Sequence, residues 1–484
     1  MLHRRLGLPS AAAIAALVCA GAAQAESLTD AIALAYQTNP TLQTQRAQLR
    51  VLDESYVQAR AGFRPNVSIS ADASYQDSAG REGDSSGVSL SASQPLYTGG
   101  RVSSAVTAAQ GAILSGRESL RQTEATVLQS VVQAYVDVRR DLKALAIRQE
   151  NVDILRRQVD ESQARFDVGE ITRTDVAQAQ ASLAGARAQF AGAQAQLGIS
   201  RAAYAAVVGQ NPGELQPEPP LSQFPATIEQ AFTVAEQSNP GLRAAQYDEQ
   251  ASRARIAAAR AERMPTVGLR ASLGYSGPLS NYDPSDYDRS VTAAATFSQP
   301  LFAGGAINSR IRQAVERNNS DRIQVEQARR NLLQRLSQAW NQLLAARASI
   351  VAGEEQVRAA RIAFQGTQEE RKVGLRTTLE VLTAQQNQRD SELALINARR
   401  DEYVASAGVL NVMGLLEARY VAPAAPLYDP AKSFDRVKNS GWVPWEPVVA
   451  GLDSLAAPRI DPLPAAHASA APAPVSPATG GLAR

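Results

Sequence analysis

The polarity of the chain changes period twice, and then does so again in the same order. From Ser27 to Ala61 an Ala-, Gln-, Arg- and Glu-rich stretch, interrupted only by an early Asn39-Pro40, predicts a helix that Pro65 ends. Val67, Ile69, Ala71, Ala73 and Tyr75 then alternate with Asn66, Ser68, Ser70, Asp72 and Ser74, and Val88, Leu90 and Ala92 alternate with Ser89, Ser91 and Ser93. Strict alternation predicts the two strands of a hairpin. Past Gly99-Gly100 the apolar step returns to three or four, through Ile113, Gly116, Leu120, Val127, Val131, Val138, Leu142, Leu155 and Val159 to Phe166. That predicts a helix of about 65 residues, roughly 100 Å long. A turn at Val168 to Arg173 and a return helix from Thr174 to Val208 complete the unit.

The second unit is displaced by 200 residues at first and by 205 later. Asn39-Pro40 recurs as Asn239-Pro240, Pro65 as Pro265 and Tyr75 as Tyr275. Gln94-Pro95-Leu96-Tyr97 with Gly99-Gly100 recurs as Gln299-Pro300-Leu301-Phe302 with Gly304-Gly305, and Val168-Gly169 as Val373-Gly374. The five-residue slip falls in the Gly/Ser/Asp/Pro-rich segments Gln76 to Gly87 and Ser276 to Arg289, expected to be solvent-exposed loop tips. The expected organisation is a first repeat over 26–210, a Pro-rich linker over 211–226, and a second repeat over 227–414. A C-terminal extension over 415–455 and an Ala/Pro-rich, disordered tail over 456–484 follow.

Residues 1–25 read as a secretory signal peptide: Arg4 and Arg5, an apolar run from Ala11 to Ala23, then the small-x-small site Ala23-Gln24-Ala25. Cys19 follows Val18, where lipoprotein processing needs a small residue, so lipid attachment is not expected. With Cys19 and His3 in the leader and His467 in the tail, the body has no residues for the usual zinc sites or for Ser-His or Cys-His catalysis. Two-carboxylate chemistry stays open, but no catalytic, cofactor or metal residue is expected. Losing Arg4 and Arg5 takes the net charge from +2 to 0, and the remaining Lys and Arg lie beside Asp and Glu, which is no footprint for nucleic acid.

No stretch after the leader is long and apolar enough for a transmembrane helix. Strands of ~9 to 11 residues, apolar on one face and Ser/Thr-rich on the other, match transmembrane barrel strands with a wet interior. A soluble, half-buried hairpin has the same pattern, and the polar loops favour the membrane. Four strands cannot close a barrel alone. Unpaired edges are costly in lipid, so two chains would share eight strands or three would share twelve.

The order of elements, the paired Gln-Pro-Leu-Tyr/Phe-x-Gly-Gly turns and the sequences around Val168-Gly169-Glu170-Ile171-Thr172-Arg173-Thr174-Asp175 and Val373-Gly374-Leu375-Arg376-Thr377-Thr378-Leu379-Glu380 resemble the TolC family of outer-membrane exit ducts over about Ser27 to Tyr420. The resemblance implies an α+β membrane protein. It would have a long coiled-coil α-helical tunnel, two internal repeats, and four transmembrane strands per chain in the shared twelve-stranded barrel of a homotrimer. It also implies an outer-membrane location with a periplasmic helical extension, contact with outer-membrane lipid, a periplasmic adaptor, and an inner-membrane transporter of the ABC or proton-driven kind.

Carried onto this chain, the family's periplasmic gate falls on Thr174, Asp175, Arg371 and Arg376, with Asp175 facing Arg371 and Thr174 facing Arg376. Arg371 departs from the tyrosine familiar there, which makes that link ionic. Glu380 falls on a pore-facing acidic ring, where three copies would raise one another's pKa. Thr383 replaces a second ring, so cation selectivity is expected to be weaker than with two. Gly169, Gly374 and Leu375 fall on the tip that contacts the adaptor. For Asp175 and Glu380 the alternative is helix capping, and for the glycines it is turn formation. Leu427-Tyr428-Asp429-Pro430 with Val437-Lys438 and Trp442 resembles the extension of ducts serving type I protein secretion, favouring that cargo over multidrug efflux. A soluble periplasmic coiled-coil adaptor is the rival reading from another class.

Overall fold

The computed structural model describes residues 26–221, 224–279, 284–423 and 426–457. The leader at 1–25 and all but the first two residues of the tail lie outside them.

The first predicted helix is two helices, α1 (Leu28–Thr38) and α2 (Pro40–Arg60), because Asn39 is held extended (φ −61°, ψ 123°). A residue before proline is pushed out of the helical region, while proline suits the first helical turn. Asn39 Oδ1 accepts from Thr41 N at 3.0 Å and its Nδ2 donates to the carbonyl of Val207 at 3.0 Å. Asn239 does the same between α5 (Ile228–Ser238) and α6 (Pro240–Ala261), donating to the carbonyl of Val412 at 2.9 Å. The recurring Asn-Pro is thus a junction tied to the end of each return helix.

The long helices are α3 (Arg101–Asp167) and α7 (Ala306–Lys372), 67 residues each, and the return helices are α4 (Arg173–Val208) and α8 (Thr378–Met413), 36 residues each. The main core braces them at mid-length. Leu28, Ile32, Leu128, Val132, Tyr135, Tyr204, Leu336 and Leu343 are buried in one cluster with Leu410 and Met413. The Pro-rich linker crosses this core instead of hanging free. Tyr135 Oη donates to the carbonyls of Glu26 and Gln216, Tyr403 Oη donates to that of Pro219, and Glu26 bridges to Leu215.

One antiparallel sheet in the order β1-β2-β3-β4 joins the halves: β1 (Asn66–Ser78), β2 (Arg81–Tyr97), β3 (Thr266–Gly277) and β4 (Asp288–Ser298). Its registers stack Ile69, Leu90, Leu273 and Val291 in one row and Val67, Ala92, Ala271 and Ala293 in the next. Rows on the opposite face read Ser68, Ser91, Ser272 and Thr292, and Ser70, Ser89, Gly274 and Ser290. Ser68 with Ser91 (2.9 Å) and Ser70 with Ser89 (2.8 Å) are hydrogen-bonded across strands.

The first expected loop tip, Gln76 to Gly87, is strand almost throughout. Its turn is only Ala79-Gly80, with φ of 51° and 76°, as a two-residue hairpin turn of the primed type requires. Polar residues fill both faces there, so alternation disappears although backbone pairing continues.

Beyond α8 come α9 (Ala418–Val421), α10 (Pro430–Val437) and α11 (Glu446–Ser454). Glu446 is buried against Arg60 (2.6 Å) and Arg64 (3.0 Å). Asp453, fully buried, supplies what α3 lacks. The N-cap residue Gly100 has no side chain, so Asp453 accepts from Thr98 N and Oγ1, Gly100 N, and Ser103 N and Oγ, at 2.7 to 3.1 Å. Burial alone would raise its pKa, but these donors outweigh burial and hold it below the usual carboxylate range.

Candidate functional site

The two hairpin ends farthest from the sheet are built alike. Gly169 (φ 80°) and Gly374 (φ 79°) take the left-handed conformation that closes each long helix. Gly169 N donates to Phe166 O and Glu170 N to Arg165 O; Gly374 N donates to Arg371 O and Leu375 N to Glu370 O. Each return helix then opens with a capping box, Thr172 with Asp175 and Thr377 with Glu380. Capping therefore occupies both acids. The apex side chains Val168, Val373 and Leu375 are exposed.

The cations take partners other than those the aligned turns suggest. Arg371 reaches across from α7 to Glu161 of α3 at 3.0 Å, and Arg376 bridges Glu370 and Glu380, each at 2.8 Å. Within one chain these contacts stand in place of Asp175 with Arg371 and Thr174 with Arg376. Asp175 is turned onto the Thr172 backbone N–H and hydroxyl at the start of α4, while Arg376 and Glu380 are four residues apart on the approach to α8. Thr174 lies exposed in the first turn of α4.

Glu380 has charged and hydrogen-bonding partners within its own chain. Its pKa is lowered to about 2, first by the Thr377 backbone N–H and then by the Arg376 guanidinium, whereas a bare ring of like charges would raise it. The acidic position carries its own counter-charge. Arg376→Gln is therefore expected to move the reversal potential toward cations in a salt gradient across a planar bilayer. An unchanged potential would place Glu380 away from the ion path.

Above the tips, α8 meets α3 through polar groups that the sequence pattern did not single out. Gln385 Nε2 donates to Asn151 Oδ1 at 3.0 Å, and the buried Arg389 pairs with Glu150 (3.2 Å) and Glu392 (2.9 Å). A small apolar cluster, Leu155, Leu183, Ala186 and Leu382, interrupts this seam. The seam's signal in the sequence is the Gln/Asn/Arg run at 385–389, inside an otherwise helical period.

No group of His, Cys, Asp and Glu able to hold a metal ion occurs among the described residues, and no described helix is long and apolar enough to cross a membrane. The sequence model of a family described as "Outer membrane efflux protein" matches residues 31–210 and 232–415. The outer membrane efflux protein BepC of Brucella suis is 34% identical over 419 residues, covering 86% of this chain and 92% of that protein. The alkaline protease secretion protein AprF of Pseudomonas aeruginosa is 26% identical over 344 residues, covering 70% of this chain and 71% of that protein. Among solved structures, the outer membrane protein VceC from Vibrio cholerae superposes with a TM-score of 0.67 at 22% identity, over 80% of this chain and 96% of that one.

Proposed function

Because this chain belongs to the outer membrane efflux protein family, we propose that three copies of it form the exit duct of a tripartite export system, running from an inner-membrane transporter through the periplasm and across the outer membrane. The sheet carries the reading. Its apolar rows end at β1 and β4, whose outer edges have no partner strand in the described chain. In lipid such edges must be paired. Two copies would give eight strands, an interior that side chains fill, whereas three give twelve and leave a lumen for the Ser/Thr face. The second half of the tunnel wall agrees: Ile323, Val351 and Ile362 of α7 are exposed in the single chain, a stripe that neighbouring copies would cover.

Purified trimer in a planar bilayer should give stepwise currents, and recovery of the protein in the soluble periplasmic fraction would contradict the duct. The matched order of elements, with long and return helices of equal length in both halves, supports a duplicated unit that lines the duct twice per chain.

Closure belongs at the tips, where Thr174, Asp175, Arg371, Arg376 and Glu380 cluster near the ends of the helices. The double change Arg371→Ser with Arg376→Ser cuts the α7-to-α3 link and frees both acids beside Arg376. Single-channel current is expected to rise several-fold, with each single change giving less; an unchanged current would remove these residues from the gate. Gly169, Gly374 and the exposed Leu375 form the apex offered to a periplasmic adaptor.

For cargo, the ordered C-terminal extension supports secretion of a protein through an ABC transporter of the type I kind, as does similarity to AprF. BepC is named an efflux protein, and multidrug efflux is the second reading. A deletion strain separates them: loss of a secreted protein with unchanged drug sensitivity supports the first, and the reverse supports the second.

A further inference from the structure

Helix α11 has two faces of opposite use. Glu446, Val449 and Asp453 are buried against the base of the sheet and the start of α3. Trp445, Val448, Leu452 and Leu455, at helical spacing on the other side, are exposed, Val448 by 65% and Leu455 by 83%. Trp442, just before the helix, is exposed as well. Such a concentration of large apolar side chains on a nine-residue helix calls for a covering surface.

Its position identifies that surface. Trp445 Nε1 donates to Gln94 Oε1 at 3.0 Å, and the Gln94 amide donates in turn to the carbonyls of Phe63 (2.8 Å) and Pro95 (2.6 Å). Alternation along β2 puts Gln94 on the same face as Val88, Leu90 and Ala92, and the register sets it beside Leu269, in the row below Ala92 and Ala271. One row past Gln94, at Tyr97, Val267 and Phe297, the apolar face of the sheet ends, and α11 stands beside that end. The helix rests on β2, an inner strand, rather than on β1 or β4, where neighbouring copies would join.

We propose that α11 is an interfacial membrane helix, whose Trp445, Val448, Leu452 and Leu455 stripe lies in the headgroup region of the phospholipid leaflet that faces the periplasm. Tryptophan with its ring in the apolar boundary and its N–H satisfied suits that depth, as does a short helix with one apolar side. The buried side holds the helix to the barrel base, so the stripe fixes how deep the whole duct sits. This rests on reading the sheet as membrane-spanning.

The full chain, with Trp340→Phe and Trp442→Phe so that Trp445 is the lone tryptophan, is reconstituted in phosphatidylethanolamine/phosphatidylglycerol vesicles. Nitroxide quenchers are placed at the headgroup or deep in the acyl chain. A matched control lacking all three native tryptophans carries Phe297→Trp on the apolar face of β4. The headgroup quencher should reduce Trp445 emission more strongly than the deep one, and Val448→Asp with Leu452→Asp should weaken that quenching. If the β4 probe of the control were quenched and Trp445 were not, protein from another copy or a partner would cover α11 and the proposal would fail. If neither were quenched, the membrane reading of the sheet would fall with it. A heat-modifiable trimer band in each preparation confirms that folded protein is being measured.

Discussion

Leu90→Lys is expected to remove the protein from the outer membrane. Leu90 lies on the inner strand β2, in the row with Ile69, Leu273 and Val291, near the middle of the apolar face. That face runs from Val267 to Tyr275 along β3, about 26 Å of strand at roughly 3.3 Å per residue. A lysine at the midplane of a barrel's lipid face costs about 2–4 kcal/mol per chain. In the proposed trimer three copies would carry that cost together, while each chain's stability is marginal. Ser89→Lys, one residue away on the hydroxyl-lined face, should cost little and leave a trimer in the membrane fraction. Fractionation and heat-modifiable gel mobility of both variants decide the matter. Equal loss of both would mean that the sheet has two dry faces, and equal tolerance that it has none.

Asp453→Ala should be the most damaging single change outside the sheet, on the order of 3 kcal/mol from the lost cap and the charge-assisted bonds of a buried carboxylate. It strips the acceptor from Thr98, Gly100 and Ser103 at once and opens the start of a 67-residue helix. Asn308→Ala, at the position equivalent to Ser103, is the control. Among the described residues Asn308 accepts from Arg263 there, at 2.6 Å, and its loss should stay within about 0.5 kcal/mol.

Chemical unfolding of reconstituted protein measures both. The pH dependence has a defined sign. Because the folded pKa of Asp453 is depressed, its contribution is present above the unfolded carboxylate value near 4 and is lost as pH falls through the folded value. The difference between wild type and Asp453→Ala should therefore persist at neutral pH and shrink only in strong acid. A difference that vanished already near neutrality would contradict the cap.

How much was legible depended on whether a feature is local. Hairpins, long helices and return helices follow from periods of two and of three to four, and the turn glycines from their need for positive φ, so the expected bounds of the long and return helices lie within a few residues of those observed. The Asn-Pro break was visible in the sequence but read as part of one helix. Its meaning comes from Val207 and Val412, the carbonyls that Asn39 and Asn239 bond. The loop expected over Gln76 to Gly87 failed for a different reason: where both faces of a hairpin are wet, polarity stops reporting the strand. At the tips, alignment sets Asp175 opposite Arg371 and Thr174 opposite Arg376, whereas within one chain Arg371 pairs with Glu161 and Arg376 with Glu370 and Glu380. Which acid an arginine reaches is set by helix azimuth and by competing caps, and Asp175 was already committed to Thr172.

By itself, the sequence determined the period of every long element, the apolar and hydroxyl faces of the strands, and the absence of histidine and cysteine chemistry in the body of the chain. Each of these is a property of neighbouring residues along one backbone. Only the tertiary structure decided what meets those faces. The two units differ at Arg64 against Met264, Thr98 against Ala303, and Ser103 against Asn308, and the sequence shows those differences without their cause. What meets them is Glu446 and Asp453, brought back more than 300 residues along the chain to the hairpin base and the start of α3 in the first unit, and among the described residues to no counterpart in the second. A period specifies that a surface must be covered or capped, and contact in space specifies by what.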